Sequence, residues 1–318
     1  MAVLTIAAVP AVVFAYDFKE GNLCLEKLAD GASVKVVKDD SYAAVLVGSL
    51  TIPESVMNDG VSYSVAEIDY RVFAQCQALT SVVIPNSLKV VGGSAFYMCK
   101  ALTSVTLVSS VEKIDVDAFY NTPALKSITL PNSLKTIGEG AFGYSGITSI
   151  EIPDTVTSLG EKSFYPCSQL VSARIGEGVE TIATWTFGDC PKLTTLVIGS
   201  KVSKSEDYAF AYCTSLTSVT NLAASPQSIS KYVFRNLTYS QCNLYVPEQS
   251  VGLYNSASYW RSFKIEGING VDGVEADEAA KVVEGYYDLK GARLAEPVRG
   301  EVNLVRYTDG TARKVIVE

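Results

Sequence analysis

Residues 118–137 read AFYNTPALKSITLPNSLKTI, and nearly the same sentence is spelled seven times in succession. It begins at a Phe and passes a small polar residue or Cys three positions later. It then gives L-x-x-V/I-x-L/I, usually a Pro, and closes on a second apolar pair. The anchoring aromatics are Phe73, Phe96, Phe119, Phe142, Phe164, Phe187 and Phe210, separated by 23, 23, 23, 22, 23 and 23 residues, with a frayed eighth at Phe234. A period this regular specifies a solenoid, in which no unit can bury its own apolar face and each completes the core of its neighbour.

Periods of about 20–29 residues with L-x-x-L-x-L spacing mark leucine-rich repeats. Leu79, Val82 and Ile84 take the inward positions of one short strand, and Leu102, Val105 and Leu107 repeat them one coil later. Alternation of period two makes these segments strands, and seven of them side by side make a parallel sheet. The second apolar pair, Leu134 and Ile137 in one coil, predicts a second small strand per turn. The phenylalanines, each on a short turn such as residues 94–97, are expected to stack as a buried spine on the convex side. The predicted fold is a right-handed leucine-rich-repeat solenoid, β-rich with short helical turns, carrying its parallel β-sheet on the concave face and followed by a small C-terminal β module.

Composition narrows the chemistry. Of 318 residues, 48% are hydrophobic and 19% charged, which is globular rather than disordered. A net charge of -8, with no basic stripe on any face of the repeat, argues against a nucleic-acid partner. The chain contains no histidine. That removes Ser-His-Asp and Cys-His catalysis, His-ligated zinc and the commonest general base. Phosphate-binding glycine loops and a G-x-S-x-G elbow are also missing, so no enzyme activity and no cofactor are expected.

In chain order, residues 1–15 form an apolar run ending in Val13-Phe14-Ala15, too short to span a bilayer and sized for a secretory signal peptide, although no Lys or Arg precedes Lys19. The alternative is a buried first strand of the cap. Residues 16–67 are β-patterned at 34–37, 42–47 and 50–52, and residues 51–56 echo the repeat, so they are expected to supply an N-terminal β cap and a degenerate first coil. Residues 68–247 are the array. From 248 to 281, Gly267, Gly270 and Gly273 among Glu275, Asp277 and Glu278 suggest an acidic linker. Residues 282–318 read as three short strands joined by turns at Lys290-Gly291 and Asp309-Gly310.

The motifs AF-x-x-C, L-T-S-V-x-I-P and S-L-K-x-I-G, over about residues 50–247, resemble the BspA-like leucine-rich repeats of secreted and cell-surface proteins in host-associated bacteria. Departures are local: Thr122 and Ser145 stand for the Cys, Thr186 for the Ala before Phe, and the seventh coil lacks its Pro. The tail YYDLKGARLAEPVRGEVNLVRYTDGTARKVIVE resembles the short C-terminal β module of exported Gram-negative proteins, with Ala292 in place of an Arg. The resemblance implies an extracellular or outer-surface protein that adheres to a protein or glycan ligand through its concave face. The alternative is a structural scaffold of the bacterial surface, with a hydrolase further behind. A monomer with no membrane-spanning segment after signal removal is expected.

Cys76, Cys99, Cys167, Cys190 and Cys213 each follow a spine Phe by three residues, so they form an inward ladder. They read as small buried apolar residues, or, with rungs about 4.8 Å apart, as an oxidisable pair at Cys76 and Cys99. An odd total of seven leaves one thiol unpaired. Glu151, Glu177 and Glu180 are better explained as a solvated face than as catalytic carboxylates.

Two columns point outward from the strands. Ser81, Ser104, Ser127, Ser149, Ser172, Thr195 and Ser218 are uniform and suggest a structural hydroxyl ladder. Val83, Thr106, Thr129, Glu151, Arg174, Val197 and Thr220 vary, and are the candidate binding residues, since repeat scaffolds recognise partners on such extended faces. Glu151 and Arg174 lie on adjacent strands and are placed to pair, worth about 1 kcal/mol at most on a surface.

Overall fold

A computed structural model of the chain describes residues 16–268 together with four strands further on, Val283–Tyr287, Arg293–Leu294, Val302–Tyr307 and Ala312–Ile316. The described residues divide into two compact units, one ending before residue 273 and one after it. The segment 1–15, expected as a signal peptide, lies outside the described residues.

In the first unit coils are tied to their neighbours at up to three places. The first is the main sheet. Gly48–Thr51, Leu79–Val83 and Ser104–Thr106 pair in parallel, and so do Ser149–Ile152, Ser172–Ile175, Thr195–Ile198, Ser218–Asn221, Asn243–Pro247 and Lys264–Ile268. Register follows the repeat: Ser149 sits opposite Ser172, Ser172 opposite Thr195 and Thr195 opposite Ser218. Any slip by one residue would turn every buried Ile and Val outward. The second tie is the pair of residues read as a small strand, at Val90–Val91, Lys113–Ile114, Thr136–Ile137 and Ser158–Leu159, with Val91, Ile114 and Ile137 fully buried.

The third tie is the phenylalanine turn. The N–H of Phe96 donates to the carbonyl of Ala118 at 2.8 Å, that of Phe119 to Ala141 at 2.8 Å and that of Phe164 to Thr186 at 2.9 Å. These bonds need N–H groups aimed along the array. The chain achieves that with left-handed residues two before and two after most of the spine phenylalanines, as at Ser94 (φ 54°) and Met98 (φ 58°), or Asp117 (φ 55°) and Asn121 (φ 57°). A non-glycine residue held there costs on the order of 1 kcal/mol or more. The inter-coil bond and the ring packing offset it.

That packing is a continuous stack. Neighbouring rings from Phe73 to Phe234 lie 5.0–5.9 Å apart and within 23° of parallel, all essentially inaccessible to solvent. Phe234 is therefore a true eighth member. Tyr42 stacks on Phe73 at 5.5 Å and closes the N-terminal end, its hydroxyl accepting the N–H of Cys24 at 2.6 Å. At the other end Trp260 and Phe263 meet Phe234 edge-on.

Four expectations change. Residues 42–47, read as a strand, instead begin with the short helix Tyr42–Val45, because Tyr42 must turn inward onto the spine. Residues 248–268, read as linker, form a further coil: the helix Val251–Ser256 and the strand Lys264–Ile268, parallel to Asn243–Pro247. Tyr254, Trp260 and Phe263 supply the burial that the usual Phe and Leu supply elsewhere. The rest of the expected linker, 269–281, lies outside the described residues. The second unit is a four-stranded antiparallel sheet rather than three strands, because Arg293–Leu294 adds to the edge of Val283–Tyr287.

The main sheet, expected to run unbroken through seven coils, is split. Residues 127–130 form no strand, although Ile128 and Leu130 still point inward and are buried. At ordinary junctions the ladder opens with a bond such as Val171 N–H to Thr148 or Thr194 N–H to Val171. Among the described residues, Lys126 N–H makes no matching bond, and the backbone of 127–130 makes none at all. Beside this coil lies the shortened interval from Phe142 to Phe164. There Gly146 alone spans Ser145 to Ile147, where other coils have two residues, and it packs so tightly that a Cβ would stand 2.1 Å from the Pro123 carbonyl.

Candidate ligand-binding face

The solvent side of the main sheet carries the seven candidate residues, and the structure separates them. Val83, Thr106, Thr129 and Glu151 are exposed and Arg174 is half-buried. Val197 and Thr220 are 1% and 3% exposed, so they are not available to a partner. In the row across the sheet they stand between Arg174 and Tyr245.

Arg174 is already engaged. Its Nη1 lies 3.2 Å from Asp154 and 3.9 Å from Glu151. Asp154 also accepts the N–H of Glu177 at 2.9 Å; that bond first, then Arg174, holds its carboxyl below the usual carboxylate value. Sequence reasoning paired Arg174 with Glu151 and missed Asp154, which sits in the turn after the strand rather than on it.

The uniform serine column is not a bonded ladder. None of Ser81, Ser104, Ser127, Ser149, Ser172, Thr195 and Ser218 makes a side-chain hydrogen bond among the described residues. The bonding hydroxyls belong to the neighbouring column, where Thr103 reaches the Thr80 carbonyl at 2.9 Å and Thr194 that of Val171 at 3.1 Å. The serine hydroxyls are thus free to meet solvent or a ligand.

Beneath the face, the AF-x-x-C motif has a geometric meaning. The Cys99 thiol donates to the Phe73 carbonyl at 3.0 Å, Cys167 to Phe142 at 3.2 Å and Cys213 to Phe187 at 3.1 Å, so each Cys clasps the spine residue of the coil before it. Thr122 and Ser145 keep a hydroxyl at the same place, bonded to Phe119 and near Cys167.

The sequence profile of the BspA type leucine rich repeat region matches residues 66–146 and 135–261, in six copies. The chain belongs to this BspA-type family. A leucine-rich repeat protein from Bacteroides ovatus ATCC 8483 shares its fold with a TM-score of 0.56 at 22% identity, over 73% of this chain and 71% of that one. A leucine-rich repeat protein from T. pallidum gives a TM-score of 0.55 at 25% identity, over 61% and 87%. No curated protein matches the chain.

The opposite side of this BspA-type array carries a row of half-buried aromatics. Tyr97 stacks on Tyr120 at 5.4 Å and Trp185 on Tyr208 at 4.7 Å, with Arg71 over Tyr97 at 5.5 Å. The row is irregular: Tyr144 meets Tyr120 at 62° and stays half exposed, and Tyr165 meets Trp185 at 59°. Among the described residues there is no group of three or more side chains suited to a metal ion, and no helix long and apolar enough to cross a membrane.

All seven cysteines are free and buried, so the oxidised pair considered for Cys76 and Cys99 is not formed. Burial pushes the Cys76 thiol up to about 11 and Cys99 and Cys242 to about 12. The thiolate is the reactive species, so a raised value lowers reactivity at neutral pH on top of the steric shielding. Native protein at pH 8 is expected to react with a thiol-specific disulfide reagent at none of the five ladder cysteines within an hour. Under denaturant it should titrate seven. Fast labelling of Cys99 or Cys190 in the native state would show that the coils open.

Proposed function

We propose that this BspA-type protein is an exported, non-enzymatic adhesin that docks a protein or glycan partner on the solvent face of its main sheet, at the bacterial surface or outside the cell. The observation that carries the reading is the row of unbonded hydroxyls from Ser81 to Ser149, with Val83, Thr106, Thr129 and Glu151 exposed beside it. Except at 127–130, these side chains stand on strands paired in the main sheet over a stacked core, so little order remains to be imposed there when a partner binds. Membership of the repeat family and the apolar run at 1–15 support export.

The test is a binding screen of the full chain against host matrix proteins and a glycan library, with two variants. Thr106→Arg on the sheet face is expected to weaken any bound partner at least about tenfold, because a long charged side chain fills the contact. Tyr97→Arg, on the aromatic side, is expected to leave it unchanged. Equal loss in both variants, or no partner of either class, contradicts the reading.

A further inference from the structure

The interruption of the main sheet at residues 127–130 leaves more than missing bonds. Between Ser104–Thr106 and residues 127–129 lies a cavity of about 200 Å³, open to the sheet face. It is open and spans only two neighbouring coils, which suits one small ring better than a peptide strand. Its walls hold five hydroxyls, from Thr103, Ser104, Thr106, Ser127 and Thr129, while Val105 and Ile128 turn their side chains into the core beneath it. No charged residue lines it. Of those hydroxyls only Thr103 is committed, to the Thr80 carbonyl. The backbone N–H and C=O groups of 127–129 add unbonded donors and acceptors at the same wall.

We infer that this gap is a binding site for a single residue of a neutral glycan. Uncommitted hydroxyls both donate and accept, as do sugar hydroxyls, and the free peptide groups supply directional partners that an intact ladder would consume. The absence of a lining cation removes the usual partner of a sialic acid carboxylate or a sulfate. The site rests on the sheet-face reading and narrows it to one coil and one ligand chemistry.

The experiment is a glycan array probed with the full chain, carrying neutral, sialylated and sulfated members. It is followed by titration of the strongest neutral oligosaccharide against wild type, the Ser104→Ala/Thr129→Val double variant, Thr106→Val, and Thr194→Val on the intact ladder. Neutral glycans are expected to bind in preference to acidic ones. Loss of two hydroxyl contacts should lower affinity about tenfold or more. Thr106→Val, which keeps the shape of the side chain, should also weaken binding, and Thr194→Val should leave it unchanged. Amides of 127–129 should slow their hydrogen exchange on binding. Binding confined to acidic glycans, or neutral binding indifferent to both cleft variants, overturns the assignment. A matrix protein bound through the Thr106 face with no glycan bound at all overturns the sugar site and leaves the sheet-face reading standing.

Discussion

Phe164→Ala is expected to destabilise the array by about 3–5 kcal/mol, the range for removing a buried Phe side chain from a core that cannot collapse around the void. Phe164 has no solvent exposure and sits between Phe142 at 5.3 Å and Phe187 at 5.0 Å, the latter pair within 1° of parallel. The backbone on either side is pinned: its N–H bonds to Thr186 and the Cys190 thiol approaches its carbonyl. Neither ring can move into the hole without breaking an inter-coil bond. Each coil of a solenoid touches only its neighbours, so the loss falls on one junction. Urea denaturation should then show two transitions in place of one, with coils before and after 164 melting separately. A loss below about 1 kcal/mol would mean that the rings are not a shared core.

The second large effect is at Trp260. Trp260→Ala is expected to cost at least about 3–5 kcal/mol and to lower the melting temperature of the first unit by several degrees. The indole is fully buried, meets Phe234 at 70° and Tyr254 at 76°, and donates from Nε1 to the Gln227 carbonyl at 2.8 Å. Removal opens the end of the spine to water and leaves that carbonyl unpaired. Gln227 in turn holds the Val202 carbonyl at 2.7 Å and the buried amide of Asn221 at 2.8 Å, so the damage reaches back two coils. A linker residue would change stability by no more than about 0.5 kcal/mol. Thermal melts distinguish the two readings directly.

What the residues announced and what they concealed follow from the same period. Seven phenylalanines at one spacing have no other use than a stack, and the L-x-x-V-x-I pattern fixes the strands and their register once the stack is in place. The left-handed residues two positions either side of most spine phenylalanines were hidden, because Ser94, Met98, Asp117, Asn121, Trp185 and Tyr212 share no side-chain property. Their conformation is imposed by the inter-coil bonds, not by local preference. The coil at 248–268 was hidden because aromatics replace the aliphatic pattern and its glycines imitate a linker.

The binding face was only partly legible. Outward position can be counted along a strand, but exposure is a property of the folded surroundings, and Val197 and Thr220 are buried although their positions count as outward. Uniformity misled in the serine column: it marks positions where a small hydroxyl fits, whereas the bonds fall to the threonines beside it. The break at 127–130 had one visible trace, the lone 22-residue interval, whose effect on the preceding coil needs the close approach of Gly146 to Pro123 to be understood.

Hydrogen exchange resolved to single amides across residues 66–268 tests the coil-by-coil account most directly. Protection should recur once per coil, at the spine phenylalanines and at strand amides such as Ala173, Leu196 and Val219, and lapse only at 127–130 within the main sheet. Protection that ignores the repeat, with Phe96, Phe119 and Phe164 exchanging at unrelated rates or 127–130 as slow as 149–152, would contradict it.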